Sequence, residues 1–283
     1  KDIDNFYNPE REAQVISRIK ELNQGPLSDE DILKVYRELM SACLSLEAPL
    51  KVSYLGPEGT YTHLATQNHF GASVISMPYS TVEDVFISVE KRDSHYGVVP
   101  VENSTQGIVS STLDMFMKSS LRISGEIETS IKHNVLSKSN NLESIKKIYA
   151  HPQSFAQCKQ WLEKNYSSVE KVNVSSNAEA ALIASKEKNS AAIASITAAD
   201  IYKLNIINKN IEDNHNNSTR FLVIGERDTD PSGNDKTSII VSTKNNSGAL
   251  YGLLEPLSKY KVSMTRIESR PSKHNNWEYI FFL

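Results

Sequence analysis

Three apolar runs in this chain pass without a break into polar residues suited to holding an oxygen-rich small molecule. KVSYL leads into GPEGTYTH, GVVPV into ENSTQG, and KIYA into HPQSFAQC. In open α/β sheets, ligands bind beyond the carboxyl ends of strands, where the unpaired amides of helix N termini face outward. Asn103, Ser104 and Thr105 can donate to carboxylate or hydroxyl oxygens, and the amides near Gly59 and Thr60 offer a seat for an anion. A fourth stretch, NNSTRFLVIG, opens an apolar strand with Thr219 and Arg220. Neighbours on a regular strand face opposite ways, so these two cannot both point into one pocket. Each feature also has a plain structural reading. GPEGT is a tight turn whose Thr60 caps a helix, and it lacks the Gly-Lys-Ser/Thr ending of a nucleotide loop. His151 can be a pre-proline loop residue, Ser104 or Ser154 a helix cap, and Thr219 simply a good strand former. No G-x-S-x-G elbow supports a serine hydrolase.

The elements that must position these residues follow from the remaining pattern. The 283 residues, 39% hydrophobic and 23% charged, suffice for two or three domains, and a net charge of -3 argues against a nucleic-acid partner. Cys43 and Cys158 read as small buried residues in a reducing compartment, and the seven histidines are scattered, so neither a metal nor a cofactor is expected. No apolar run is long enough for a membrane span, which makes a cytoplasmic address the expectation. Residues 9–48 predict two helices. PEREAQVISRIKEL spaces Val15, Ile16, Ile19 and Leu22 on one face, and Ser28 with Asp31 forms a capping box before a helix bearing Ile32, Val35, Leu39 and Leu46. Two helices cannot bury their apolar faces alone, so a further helix or a second subunit is expected against them. From Lys51, short apolar runs alternate with amphipathic stretches, which argues for α/β architecture with mostly parallel strands. The polar bridge ERDTDPSGND then precedes a small βαββ module built from TSIIVST, GALYGLLEPLSKY, VSMTRIES and WEYIFFL. The opening without a Met and the closing apolar run suggest that both ends continue.

Taken in order, four motifs resemble those of the prephenate dehydratases: Gly56 to Thr60, Pro100 to Ser104, His151 to Gln153, and Thr219 to Phe221. The order of the three units resembles the bifunctional chorismate mutase/prephenate dehydratases. The resemblance implies a multidomain α/β protein. Residues 1–48 would be a partial, α-helical chorismate mutase segment without its first helix. Residues 51–228 would be a two-lobed dehydratase domain like a periplasmic binding protein, and residues 236–283 an incomplete, ferredoxin-like ACT regulatory domain. The implied activity converts prephenate to phenylpyruvate, water and carbon dioxide without a cofactor. Thr219, Asn103 and Ser104 would be catalytic, with Thr219 donating to the leaving hydroxyl. Gly59, Thr60, Thr105, His151, Gln153, Arg220 and Phe221 would bind substrate, Arg220 as a carboxylate clamp if it faces the cleft. Glu102, a carboxylate beside a dianion, is expected to be structural. The lobes would close about residues 104–110 and 206–217.

In the mutase segment, Arg11 and Glu12 match the Arg-Glu pair of the family's chorismate site, Asn8 stands where an Asp is common, and Glu47 takes the place of a Gln or Glu, where a Glu helps only when protonated. Without the first helix this segment is expected to lack mutase activity. In the C-terminal module, Gly248, Ala249 and Leu250 would receive the carboxylate of phenylalanine as allosteric inhibitor, and Glu268, Ser269 and Arg270 would lie at the facing subunit of a homodimer or homotetramer. Two alternatives stay open from the sequence: a dehydratase acting on arogenate, and a two-lobed solute sensor without enzymatic activity.

Overall fold

The computed structural model describes residues 7–140, 142–233, 235–243, 246–271 and 279–283. The chain divides into two compact units, Lys1–Asp230 and Pro231–Leu283. In the first unit, α1 (Pro9–Leu22) and α2 (Asp29–Glu47) form where expected, and α2 begins at its predicted cap. The Asn8 side chain accepts from the Arg11 amide at 2.8 Å, and Ser28 Oγ accepts from the Asp31 amide at 3.1 Å. Asp29, Glu30 and Asp31 place negative charge at the positive end of α2.

The face that α2 buries is not the expected one. Leu33 and Ser41 are buried, whereas Val35, Leu39 and Leu46 stay exposed. Arg37 donates to the Asn68 carbonyl at 3.2 Å, Glu38 accepts from the Ala72 amide at 3.1 Å, and Ser41 Oγ accepts from the Ser73 amide at 3.3 Å. This close approach needs Gly71, whose φ is +78° and whose added Cβ would stand 2.4 Å from that of Ser41. Hydrogen bonding to a ready-made surface decides the helix's rotation more than its apolar period does.

The remainder of this unit forms two lobes. The first contains β1 (Lys51–Leu55), α3 (Tyr61–Phe70), β2 (Ile75–Tyr79), α4 (Val82–Glu90), β3 (Tyr96–Asn103), β4 (Gly107–Ile108), α5 (Ser110–Phe116) and β5 (Arg122–Ser130). The second contains β6 (Asn134–Ser137), β7 (Lys147–Ala150), α6 (Pro152–Gln157), α7 (Lys159–Asn165), β8 (Glu170–Asn173), α8 (Asn177–Lys186), β9 (Ser190–Ala194), α9 (Ile196–Tyr202) and β10 (Asn205–Asn208). Strand β11 (Ser218–Gly225) then returns to the first lobe, giving sheet orders β2-β1-β3-β11-β5 and β10-β6-β9-β7-β8. The sheets are mixed, not mostly parallel. Strands β1 and β7 pair in parallel with their neighbours, but β11 is antiparallel to both β3 and β5, and β6 to both β9 and β10. A chain that leaves a lobe at one end as β5 and re-enters at that same end as β11 runs the opposite way, so the two strands pair antiparallel.

The first lobe's core joins Val52, Tyr54, Val98, Ile127, Phe221 and Val223, with Tyr7 and Leu44 of the helical pair packed against it. In the second lobe the small side chains of Ala180, Ala181 and Ala184 let α8 lie close on Ala192 and Ala194 of β9. The lobes are joined by residues 131–133 and 209–217. The expected crossover at residues 104–110 is instead a local turn, in which β4 folds back on β3 with Glu102 opposite Ile108.

In the second unit, β12 (Ile240–Thr243), α10 (Ala249–Lys259), β13 (Glu268–Pro271) and β14 (Tyr279–Phe282) make the expected βαββ order, with an antiparallel sheet β12-β14-β13. Trp277 and Glu278 of the expected last strand lie outside the described residues.

Several histidines are buried in the first unit. Burial holds His69 down at about 4, with the Arg37 guanidinium adding to the effect, and burial also lowers His63 and His133. A histidine with a depressed folded value takes its proton first in the unfolded chain. Stability is therefore complete above the ordinary value of about 6.5 and is lost as pH falls towards the folded value. The thermal unfolding midpoint is expected to drop on acidification from about pH 7.5 to about pH 4.5. In His69→Gln that drop becomes shallower.

Candidate active site

Between the lobes of the first unit lies a cavity of about 220 Å³. Two ten-residue helices start at it, one from each lobe. Thr60 caps α3, accepting from the His63 amide at 3.3 Å, and Ser176 caps α8, accepting from the Glu179 amide at 3.1 Å. The first amides of both helices have no partner within the helix and carry its partial positive charge. The shorter α6 also begins here, with His151 Nδ1 accepting from the Gln153 amide at 3.3 Å. Asn177 ties α6 to α8: its Oδ1 accepts from the His151 amide at 3.0 Å and its Nδ2 donates to Ser154 Oγ at 2.7 Å.

The GPEGT loop closes the other side. Gly59 has φ +86°, and a Cβ there would stand 3.2 Å from Tyr202 and 3.3 Å from Ala198 of the second lobe. Its carbonyl accepts from Ser195 Oγ at 2.9 Å, and the Glu58 carbonyl accepts from the Tyr202 hydroxyl at 3.0 Å. The Gly59 amide donates to Nδ1 of His63 at 3.1 Å, and the Thr60 amide turns back to the Pro57 carbonyl at 3.4 Å. Gly59 and Thr60 therefore line the cavity without offering their own amides. Tyr61, the next residue and the first of α3, also lines the cavity.

The registers of β3 and β11 set Thr219 directly opposite Asn103. Asn103 Oδ1 accepts from the amides of Thr105 at 3.0 Å and Gln106 at 3.1 Å, which leaves its Nδ2 to donate to Thr219 Oγ1 at 2.8 Å. Because Thr219 Oγ1 accepts that bond, its own proton is free for an oxygen in the cavity. Asn103, Thr219, Gly59, Thr60, His151 and Gln153 all line this one space.

Four other expected site residues do not. Ser104 Oγ accepts from the Ser218 amide at 3.0 Å and donates to Asn217 Oδ1 at 3.2 Å, so its one proton is committed to the returning segment. Thr105 likewise donates to Asn217, at 3.3 Å. Arg220 lies on the opposite strand face, where it meets Glu102 at 2.9 Å and Glu126 at 2.6 Å, as the alternation of a strand requires. Glu102 is then its structural counter-ion. Phe221 is 1% exposed and belongs to the core. The lining contains no Lys, Arg, Asp or Glu among the described residues.

Several lining residues escaped the sequence reading. Tyr61 donates to the Lys132 carbonyl at 2.8 Å and lies 3.0 Å from His133 Nδ1, while His133 Nε2 meets Gln157 Oε1 at 2.7 Å. This chain of contacts runs from α3 through the outgoing crossover to α6. The Glu212 carboxylate joins the two crossovers, accepting from the His133 amide at 2.9 Å and pairing with Lys132 at 3.2 Å. Glu212 is lowered overall: burial opposes its charge, but the His133 amide and the other hydrogen bonds outweigh that. Ser176 with Glu179 was a readable capping signal. Nothing in IKHN marks His133.

At the mutase positions, Asn8 is occupied as the α1 cap, Arg11 is exposed beside Gln14, and Glu47 is the exposed last residue of α2. Burial raises Glu12, against the opposing effect of Tyr7 and Arg37. Tyr7 and Leu44 pack on the same core, so these four residues share one end of the helical pair. In the second unit, Gly248 starts α10 with φ +82°, and the Ala249 amide is engaged by the Asn246 carbonyl at 3.1 Å, which leaves Leu250 as the next amide. Glu268, Ser269 and Arg270 lie on β13, paired with β14.

Comparison with known proteins agrees with this geometry. Residues 52–229 match the family model for prephenate dehydratase and residues 1–48 that for chorismate mutase type II. The bifunctional chorismate mutase/prephenate dehydratase of Pseudomonas aeruginosa is 50% identical over 279 residues, covering 98% of this chain and 76% of the relative. That of Aquifex aeolicus is 47% identical over 282 residues, covering 98% and 78%. Among solved structures, the prephenate dehydratase of Arthrobacter aurescens in complex with L-Phe aligns with a TM-score of 0.75 at 29% identity, over 82% of this chain and 79% of the other. With its dehydratase match spanning both lobes and the cavity between them, the chain belongs to the prephenate dehydratase family.

Proposed function

We propose that the cavity between the lobes converts prephenate to phenylpyruvate, and that the helical pair is part of a chorismate mutase that supplies the substrate. The observation that carries the reading is the Asn103–Thr219 hydrogen bond, which leaves the Thr219 proton for a cavity lined, among the described residues, by no Lys, Arg, Asp or Glu. In the reaction, the electron pair of the bond between the ring and its carboxylate enters the ring as carbon dioxide leaves. The carbon–oxygen bond at the opposite ring position breaks, and its pair departs with hydroxide, which takes a proton from solvent. Negative charge thus drains from a carboxylate and builds on the leaving oxygen. Thr219 donates a hydrogen bond to that oxygen; a threonine hydroxyl is too weak an acid to surrender its proton. A fixed guanidinium on the ring carboxylate would hold the ground state more tightly than the transition state. Neutral donors and the starts of α3 and α8 avoid that penalty while still seating a dianion.

The same reading extends to regulation and assembly. The solved relative in complex with L-Phe supports phenylalanine as an effector of this chain. Its proposed seat is the C-terminal unit, near Gly248 to Leu250 and Glu268 to Arg270, on the strength of the motif resemblance alone. The exposed Val35, Leu39 and Leu46 of α2 support a second copy of the chain against the helical pair. No described helix is long and apolar enough to cross a membrane, and a cytoplasmic address accords with that.

Incubation with prephenate and measurement of phenylpyruvate absorbance tests the activity. Thr219→Ala is expected to lower kcat by about 100-fold with KM little changed, as for loss of one transition-state donor. A variant turning over like the parent would remove Thr219 from the mechanism. Arg220→Ala removes the cation that bridges Glu102 and Glu126; it is expected to cost about 1–3 kcal/mol of stability in denaturant unfolding, with KM for prephenate near that of the parent. A large rise in KM at unchanged stability would return Arg220 to the substrate. Deleting residues 236–283 is expected to abolish inhibition by phenylalanine while dehydratase turnover persists. Inhibition surviving with the same midpoint would place the effector in the cavity.

A further inference from the structure

We infer that Asn217, which does not line the cavity, is a positioning residue that aims Asn103, and through it Thr219, at the leaving group. The inference rests on the dehydratase reading above. Asn217 stands at the end of the returning crossover, one residue before β11, and is 3% exposed. Its Oδ1 accepts from three consecutive residues, the last of β3 and the first two of the turn after it: Asn103 Nδ2 at 3.2 Å, Ser104 Oγ at 3.2 Å and Thr105 Oγ1 at 3.3 Å. Its own carbonyl accepts from the Ile131 amide at 2.8 Å, which fastens the outgoing crossover to the same point.

The orientation of these groups follows from backbone donors. Two amides point at Asn103 Oδ1, so Nδ2 is the end that faces Asn217 and Thr219. Ser104 Oγ already accepts from the Ser218 amide, so it donates to Asn217. Both contacts require the oxygen of Asn217 to face the loop. The Asn103 amide has two protons: Thr219 Oγ1 receives one at 2.8 Å, and the other lies between Asn217 Oδ1 at 3.2 Å and the Ser218 carbonyl at 3.4 Å. Without the Asn217 acceptor, the second Asn103 proton is left with the longer contact to the Ser218 carbonyl, which already accepts from the Ser104 amide at 2.9 Å, and the hydroxyls of Ser104 and Thr105 lose their acceptor.

A second observation separates this role from simple packing. Asn217 Nδ2 is buried with no hydrogen-bond partner. An unsatisfied buried donor lowers stability, and an apolar side chain of similar size would remove that cost. The residue is matched to its acceptor and poorly matched to its donor, which fits a group present for what it holds in place.

The test is a double-mutant cycle on prephenate turnover. Parent turnover is measured first; its absence overturns the dehydratase reading and this assignment together. Given an active parent, Asn217→Ala is expected to lower kcat between about tenfold and about a hundredfold with KM little changed, since a small misplacement of a reacting group has effects of that size. Asn217→Ala combined with Thr219→Ala should then be no slower than Thr219→Ala alone, because both act through one hydroxyl. Parent-like kcat in Asn217→Ala, or losses that multiply in the double variant, overturns the assignment and leaves the dehydratase reading standing. If Asn217→Ala does not fold, Asn217→Asp decides. It keeps an acceptor for the three donors and should retain more turnover than Thr219→Ala, and an equal loss overturns the assignment.

Discussion

Strand β11 enters the first lobe between β3 and β5, antiparallel to both, and the rest of the first unit is arranged around that insertion. The chain leaves the lobe after β5, builds the second sheet and must come back through a gap already defined by two strands. Phe221 and Val223 complete the core from within that gap. The return also forces residues 131–133 and 209–217 to run side by side, where the buried carboxylate of Glu212 holds them. Burying a carboxylate is costly unless it is hydrogen-bonded, and the amide of His133 with the ammonium of Lys132 supplies those bonds.

The same pairing sorts adjacent residues of β11 between two different tasks. Thr219 faces the cavity opposite Asn103, and Arg220 faces away, between Glu102 and Glu126. A guanidinium at the edge of a dianion site invites assignment as a clamp, yet here it neutralises two carboxylates on the outer side of the sheet. The cavity is left with uncharged donors and the starts of two helices. That environment suits a reaction in which charge migrates, because oriented amides and hydroxyls stabilise a developing charge without anchoring the original one.

The helical pair is held to this scaffold through α2, which lies against the C-terminal end of α3, the helix whose other end opens the cavity. Gly71 permits the approach, and Tyr7 adds ring contacts to Phe70 at 5.6 Å and Tyr96 at 5.2 Å. The apolar residues left on the outer face of α2 are the ones whose helical period was most regular in the sequence. Regular amphipathicity marks a face that needs cover; it does not say which partner covers it.

Much of the local structure was legible because its causes are short-range. Ser28 and Thr60 cap the helices that follow them, the alternation from Lys51 onward produces the α/β lobes, and the impossibility of Thr219 and Arg220 sharing a pocket follows from strand geometry alone. The motifs around Asn103, His151 and Thr219 were visible as residues at strand ends. What remained hidden depends on contacts between distant segments. Ser104 and Thr105 read as donors to a ligand, but their acceptor is Asn217, far along the chain. Tyr61, His133 and Gln157 have no local signal because their contacts form only when two lobes and a crossover meet. By itself the sequence determined which segments become helices and strands and which polar groups stand at their ends, since capping, dihedral preference and side-chain alternation act over a few residues. Only the tertiary structure decided which of those groups face substrate and which are consumed as internal partners, because a hydrogen-bonding side chain is assigned by whatever the rest of the chain brings within about 3 Å of it.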